Sequence, residues 1–209
     1  KIKFQLSKFV KEYELENGFF FCPNQFWPHK NHFKLIEAFS ILLKMSKANN
    51  LKLLLCGGKF FKNENSFYFD NVMKLVDKLN INNQVIYLEN LNFVQIQSLY
   101  CGCIALINPS FYEGWSTTIE EARAYKVKVI ISDIEVNREQ NCPGATYFDP
   151  NSINSISKEL QNFVLQNQEL IRISPSKIIK NRLSKAILIN SKKRLEKYAQ
   201  KFVQICEES

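Results

Sequence analysis

Short apolar runs alternate along this chain with longer stretches in which apolar residues return every three or four positions. The short runs are Phe19–Cys22, Leu51–Cys56, Val85–Leu88, Ile104–Ile107, Val127–Ile131 and Ala145–Phe148. Each is too brief for a helix and mostly apolar at consecutive positions, the pattern of a strand buried on both faces. Between them, Leu35, Ile36, Phe39, Leu42 and Leu43 fall at helical spacing, and so do Val72, Leu75, Val76 and Leu79. Shorter helical patterns cover Ile96–Tyr100 and Thr118–Tyr125, and Ile153, Ile156, Leu160, Phe163 and Val164 mark another. A helical pattern also occupies Leu6–Leu15, ahead of Asn17-Gly18, and a long one runs from about Lys177 to Cys206. Strands that each lead into a helix predict an α/β fold, a doubly wound parallel sheet of about six strands with a C-terminal helical extension. Ligands of such sheets collect outside the carboxyl ends of the strands, so the loops that follow the strands are where function is sought.

Composition narrows the class. With 209 residues, 45% hydrophobic and 23% charged, the chain reads as globular, and 6 Gly and 6 Pro exclude collagen-like and proline-rich classes. A net charge of +8 invites nucleic acid or an anionic membrane as partner. Its distribution changes that picture: residues 172–209 carry ten Lys and Arg against three Glu, leaving residues 1–171 with 18 against 17. The α/β part is nearly neutral, and no nucleic-acid partner is expected. No apolar stretch approaches the ~20 residues of a membrane span. Six cysteines could suggest disulfides, but Cys22 and Cys56 end apolar runs, where Cys behaves as a small hydrophobe. Reduced, buried thiols of an intracellular protein are expected.

The loops carry the chemistry. After the first strand comes Pro23-Asn24-Gln25-Phe26-Trp27-Pro28-His29-Lys30-Asn31-His32, with Lys30 where the next helix begins. A cation at a helix N-terminus is unfavourable, so Lys30 calls for an anion. His29 and His32 have no carboxylate partner in the spacing and make a weak metal pair. Gly57-Gly58 after the second strand lets backbone approach a ligand. Neither a Gly-x-Gly-x-x-Gly fingerprint nor a phosphate loop is present, which removes support from dinucleotide oxidoreductases and P-loop enzymes. The segment Asn108-Pro109-Ser110-Phe111-Tyr112-Glu113-Gly114-Trp115-Ser116-Thr117-Thr118-Ile119-Glu120-Glu121 joins a strand to a hydroxyl-rich helix start, which suits an anion. Thr117 and Glu120 have capping-box spacing, and Glu113 has no evident structural use.

These residues resemble the Glu-x7-Glu motif of retaining, family 4 type glycosyltransferases of the GT-B fold, with Glu113 and Glu121 as its two carboxylates. Phe21–His32, Leu55–Gly58, Leu99–Tyr100, Ile107–Ser110, Ile131–Gln140 and Tyr147–Pro150 extend the resemblance over roughly residues 10–165. It implies the Rossmann-like, C-terminal, donor-binding half of a two-domain enzyme. Glu121 would accept hydrogen bonds from the ribose hydroxyls and Glu113 would face the donor sugar. Lys30 and the amides of Ser116, Thr117 and Thr118 would hold the diphosphate. Gln25, Gly57, Gly58, Leu91 and Gly114 would complete the donor site. Glu113 and Lys30 are the expected catalytic pair, with no metal and no cofactor beyond the nucleoside-diphosphate sugar substrate.

The resemblance has departures. Gln25 stands where the family usually has an arginine beside the lysine, and Asn24 where a glycine is common. A neutral side chain there weakens diphosphate stabilisation, so a non-catalytic nucleotide-sugar-binding module stays open as an alternative. By this reading residues 1–16 are an interdomain remnant, 17–166 the nucleotide-sugar domain and 167–209 a basic helical segment, with the N-terminal GT-B half absent. The expected acceptor is a glycan or lipid-linked saccharide reached through that other half. The expected location is cytoplasmic, with the basic helix as a candidate peripheral membrane contact.

Overall fold

The computed structural model describes residues 1–45, 48–59 and 67–186, with side chains as far as Arg182. Six strands form one parallel sheet: β1 (Phe19–Cys22), β2 (Lys52–Cys56), β3 (Val85–Leu88), β4 (Ala105–Asn108), β5 (Lys128–Ser132) and β6 (Thr146–Phe148). Their order is β3-β2-β1-β4-β5-β6, so the direction of winding reverses between β1 and β4. Helices α1 (Ile2–Glu12), α2 (His32–Leu42), α3 (Tyr68–Lys78), α4 (Phe93–Gly102), α5 (Thr117–Ala124), α6 (Glu135–Gln140), α7 (Ile153–Gln166), α8 (Gln168–Arg172) and α9 (Pro175–Ala186) surround it. The chain therefore has the doubly wound, Rossmann-like architecture its hydrophobic pattern predicts.

The central strand shows why. Phe19, Phe20, Phe21 and Cys22 are all fully buried, and successive side chains enter opposite layers. Phe20 meets Phe39 of α2 and Phe163 of α7, with ring centroids 6.3 and 5.8 Å apart. Phe21 points the other way and meets Tyr100 of α4 edge-on at 5.2 Å. Burying a phenylalanine contributes about 1.5–3 kcal/mol, so this one strand commits the chain to helices on both faces. Leu6 and Phe9 of α1 join the Phe21 layer. In α9, Ile178 enters one layer and Ile179 the other. Arg182 donates to the carbonyls of Tyr100, Cys101 and Cys103 at 3.2, 3.1 and 2.6 Å, which satisfies the end of α4.

Two local expectations change. Helix α6 has no apolar period because its inward residues are polar: Asn137 and Gln140 are buried, and Asn137 Nδ2 donates to the Ser132 carbonyl at 2.8 Å. The capping box of Thr117 and Glu120 does not form. Helix α5 begins at Thr117 with Ser116 as its N-cap residue, so the register is one residue earlier than a Thr117 cap requires. Glu120 pairs instead with Arg123 at 3.1 Å and accepts from Gln140 at 3.2 Å. A true capping box occurs at α4, where Asn92 and Gln95 reciprocate at 3.1 and 2.8 Å. The apolar stripe expected from Leu183 through Cys206, with the basic face opposite it, lies outside the described side chains. Among the described residues no helix is long and apolar enough to cross a membrane.

Candidate functional site

Loops following β1, β2, β3 and β4 gather at the carboxyl edge of the sheet, and specific contacts lock them together. Gly57 adopts φ +146°, and a Cβ there would lie 2.3 Å from the Asn24 carbonyl oxygen. Only glycine permits that crossing of the β1 and β2 loops. Phe26 N donates to Gly58 O at 3.0 Å just beyond it. The Phe26 ring stacks on His32 at 4.4 Å and meets Phe69 and Tyr87 edge-on. Asn31, in the left-handed region at φ +57°, sends Nδ2 to the carbonyls of Pro109 and Pro150 at 3.0 and 2.9 Å. One buried amide thus ties the loop after β1 to those after β4 and β6.

That frame positions Lys30, which sits in a 3-10 turn at Pro28–Lys30 immediately before α2. Lys30 Nζ lies 2.6 Å from Glu113 Oε1, with the two side chains only 15% and 10% exposed. The anion that Lys30 calls for is therefore Glu113 in this state, and Glu113 has the structural partner its sequence context did not reveal. Asn108, buried at the end of β4, organises the rest. Its Nδ2 lies 2.8 Å from Ser116 Oγ, 3.3 Å from Thr118 Oγ1 and 3.4 Å from Glu113 Oε1. Its Oδ1 accepts from Ser110 Oγ at 2.7 Å and from Asn24 Nδ2 at 3.3 Å. Gln140 grips the Ser116 peptide from behind, accepting from its N–H at 3.3 Å and donating to its carbonyl at 3.0 Å.

A cavity of about 570 Å³ opens between these loops and the start of α5. Gly57, Gly58, Leu91, Thr117, Thr118 and Glu121 all line it. Cys56 and Tyr100 share the wall. Burial, aided by the Glu121 charge, pushes the Cys56 thiol up to about 12 and holds the Tyr100 phenol well above its ordinary value. Both stay protonated at neutral pH. Ser116 is buried behind this wall and its N–H belongs to Gln140, so Thr117 and Thr118 are the residues of the α5 start that face the cavity. Gly114 lies elsewhere, lining a second cavity of about 320 Å³ with Glu113, Tyr112 and Glu139. Gln25 lines neither cavity. Its side chain is exposed, and its carbonyl accepts from Trp27 N at 2.8 Å. His32 is buried and its imidazole is pushed down to about 3 by desolvation. Among the described residues no cluster of His, Cys, Asp and Glu is arranged to hold a metal ion.

Asn31, Asn108 and Gln140 escape sequence reasoning, since an amide side chain announces nothing until its partners are known. The only signals were an asparagine just before a helix and another at a strand end ahead of Pro-Ser.

A parallel sheet with its polar loops gathered where the strand order reverses defines the chain as a Rossmann-like ligand-binding unit of the kind found in GT-B proteins. Residues 3–201 match the family described as glycosyl transferases group 1, and the chain belongs to that family. It is 30% identical over 156 residues to the O-antigen chain mannosyltransferase RfbU of Salmonella typhimurium, covering 75% of this chain and 41% of that protein. It is 28% identical over 138 residues to the serotype-specific mannosyltransferase WbdA of Escherichia coli, covering 66% of this chain and 16% of that one. Among solved structures, sucrose-phosphate synthase from Thermosynechococcus elongatus aligns with a TM-score of 0.70 at 18% identity, over 97% of this chain and 49% of that one. Anabaena HepE in complex with UDP and glucose aligns with a TM-score of 0.69 at 16% identity, over 94% and 52%. The chain thus spans about half or less of the length of each protein it resembles. The fold and the family, a sugar-transferring one, are established on this footing.

Proposed function

We propose that this chain is the donor-binding, C-terminal half of a retaining, family 4 type glycosyltransferase. With its other half it transfers a sugar, mannose by analogy with the relatives above, from a nucleoside diphosphate to a glycan or lipid-linked acceptor. The observation that carries the reading is the cavity of about 570 Å³ that sets Glu121 and the Thr117–Thr118 helix start opposite Gly57-Gly58. A carboxylate accepts from both hydroxyls of a ribose cis-diol. Helix amides and a nearby lysine suit a diphosphate.

Chemistry follows from charge. Breaking the bond between sugar C1 and the diphosphate leaves negative charge on the leaving group and an oxocarbenium-like sugar. In the reaction Lys30 and the α5 amides meet that negative charge, and Glu113 faces the sugar. Lys30 must then turn at least partly from Glu113 to the phosphates. A resident metal is not required by this scheme. The acceptor comes from the other half, and any peripheral membrane contact belongs to the basic segment after Arg172.

Calorimetric titration of GDP, UDP and dTDP against the wild type and Glu121→Ala tests the assignment. Micromolar to low-millimolar binding is expected, weakened at least tenfold by the substitution. No binding by any nucleotide, or an indifferent Glu121→Ala, overturns it. One feature favours the non-catalytic alternative: Gln25 is exposed and supplies Lys30 with no second cation. Protein joined to its other half that binds a donor sugar yet neither transfers nor hydrolyses it would establish that alternative.

A further inference from the structure

We infer that the β3 end of the large cavity reads a guanine base through the Lys59–Glu89 pair. This rests on the nucleotide reading above and deepens it by naming the base. The sheet order fixes the layout: the loops after β2 and β3 stand on one side of β1, and α5 follows β4 on the other. A nucleotide whose ribose lies at Glu121 on α5 therefore extends its base towards Lys59, Glu89 and Leu91, which line the opposite wall.

That wall is built to hold its polar groups still. Lys59 Nζ lies 2.9 Å from Glu89 Oε1. The same ammonium sits over the rings of Phe69 and Tyr87, 4.4 and 5.0 Å from their centroids. Tyr87 is fixed in turn by its hydroxyl, which donates to Gly57 O at 3.0 Å. Cation–ring attraction on one side and the ion pair on the other hold both charged ends beside the cavity. The pair is neutral as a unit, so this end offers no net charge to a diphosphate. It offers instead a carboxylate acceptor next to an ammonium donor.

Guanine presents the complement of that pair along one edge. Its N1–H and N2–H2 groups are adjacent donors, which one carboxylate can accept together, and its O6 is an acceptor for the ammonium. Uracil and thymine present a single N3–H between two carbonyls, so one carbonyl opposes the second carboxylate oxygen. Adenine presents an amino donor beside the N1 acceptor and meets the same repulsion. A site with fixed polar groups rejects a ligand that leaves them unpaired. One bidentate contact of this kind discriminates by roughly tenfold to a hundredfold.

The experiment is calorimetric titration of the 209-residue chain with GDP, UDP and ADP, repeated on Glu89→Gln. The wild type is expected to bind GDP at least tenfold more tightly than UDP or ADP. Glu89→Gln places an amide where the carboxylate stood, and should cut GDP affinity about tenfold while leaving UDP within threefold. Retained UDP binding also shows that the variant is folded. Equal affinity for GDP and UDP in the wild type, or a Glu89→Gln loss shared by both, overturns the guanine assignment and leaves the nucleotide site standing. Absence of binding by every nucleotide overturns both together.

Discussion

Replacing Glu113 by glutamine should make the chain bind a nucleoside diphosphate more tightly, although it removes an expected catalytic carboxylate. In the structure Lys30 Nζ is 2.6 Å from Glu113 Oε1, with both side chains largely buried. A diphosphate that uses Lys30 must compete with this carboxylate and must also lie close to its negative charge. A hydrogen bond between charged groups contributes about 1.5–3 kcal/mol, part of which the isosteric amide retains. A net gain of about 1–2 kcal/mol in diphosphate binding follows, or roughly 5- to 30-fold in affinity. The assay is calorimetric titration of GDP and UDP at ~0.15 M salt, where a largely buried pair is screened little. Guanosine serves as the uncharged comparison and should show no gain. In a Lys30→Met background the Glu113→Gln gain should shrink to what the lost charge alone supplies, which a double-mutant cycle isolates. Unchanged or weaker GDP binding by Glu113→Gln, or a full gain without Lys30, would refute the competition.

Three further outcomes follow from particular contacts. Arg182→Met should lower stability by about 3 kcal/mol in urea unfolding, because three buried carbonyls at the end of α4 lose a charged donor; a change below about 0.5 kcal/mol would remove Arg182 from the fold's supports. His32, pushed down to about 3 by burial, binds its proton more readily when unfolded, so its stabilisation is complete above pH 6.5 and is lost as pH falls towards 3. His32→Phe should therefore lose roughly 3 kcal/mol less than the wild type between pH 6.5 and pH 4, and parallel acid limbs would contradict the burial argument. Asn108→Asp sets a second carboxylate beside Glu113 and removes the donor shared with Ser116 and Thr118; GDP binding should weaken at least tenfold at pH 7 and recover partly at pH 5, and a pH-independent loss would count against like-charge repulsion.

How much of this was legible in the sequence depends on the range of the interaction. β1 reads directly as Phe19–Cys22, because a strand buried on both faces must be apolar throughout. Helix α6 does not, because its inward face consists of Asn137 and Gln140, which hydrogen bonds satisfy inside the fold. Glu113, Glu121 and Lys30 stood out by motif and loop position. Their relations did not: Lys30 and Glu113 are 83 positions apart, and Asn31 reaches carbonyls 78 and 119 positions away. The capping-box expectation failed for a local reason. Ser116 took the N-cap position, and its hydroxyl turned to Asn108 and Thr118 instead of capping the helix. Spacing alone cannot tell which of three consecutive hydroxyl residues starts a helix.

The same topology accounts for the meeting of opposite charges in a domain that is almost neutral. Lys30 follows β1 and Glu113 follows β4, and these strands pair at the centre of the sheet. Helix α2 leaves β1 towards one layer and α5 leaves β4 towards the other, so their starts diverge and a crevice opens between them. At such a place local fields outweigh net charge. The positive ends of helices, free amides and one lysine attract an anion, although residues 1–171 sum to only +1. Glu113 keeps Lys30 neutralised until a ligand with more negative charge arrives. The overall excess of +8 belongs mainly to the segment after Glu169 and carries no information about this ligand. An anion site can thus be built by strand order within an almost neutral domain, and composition cannot reveal it.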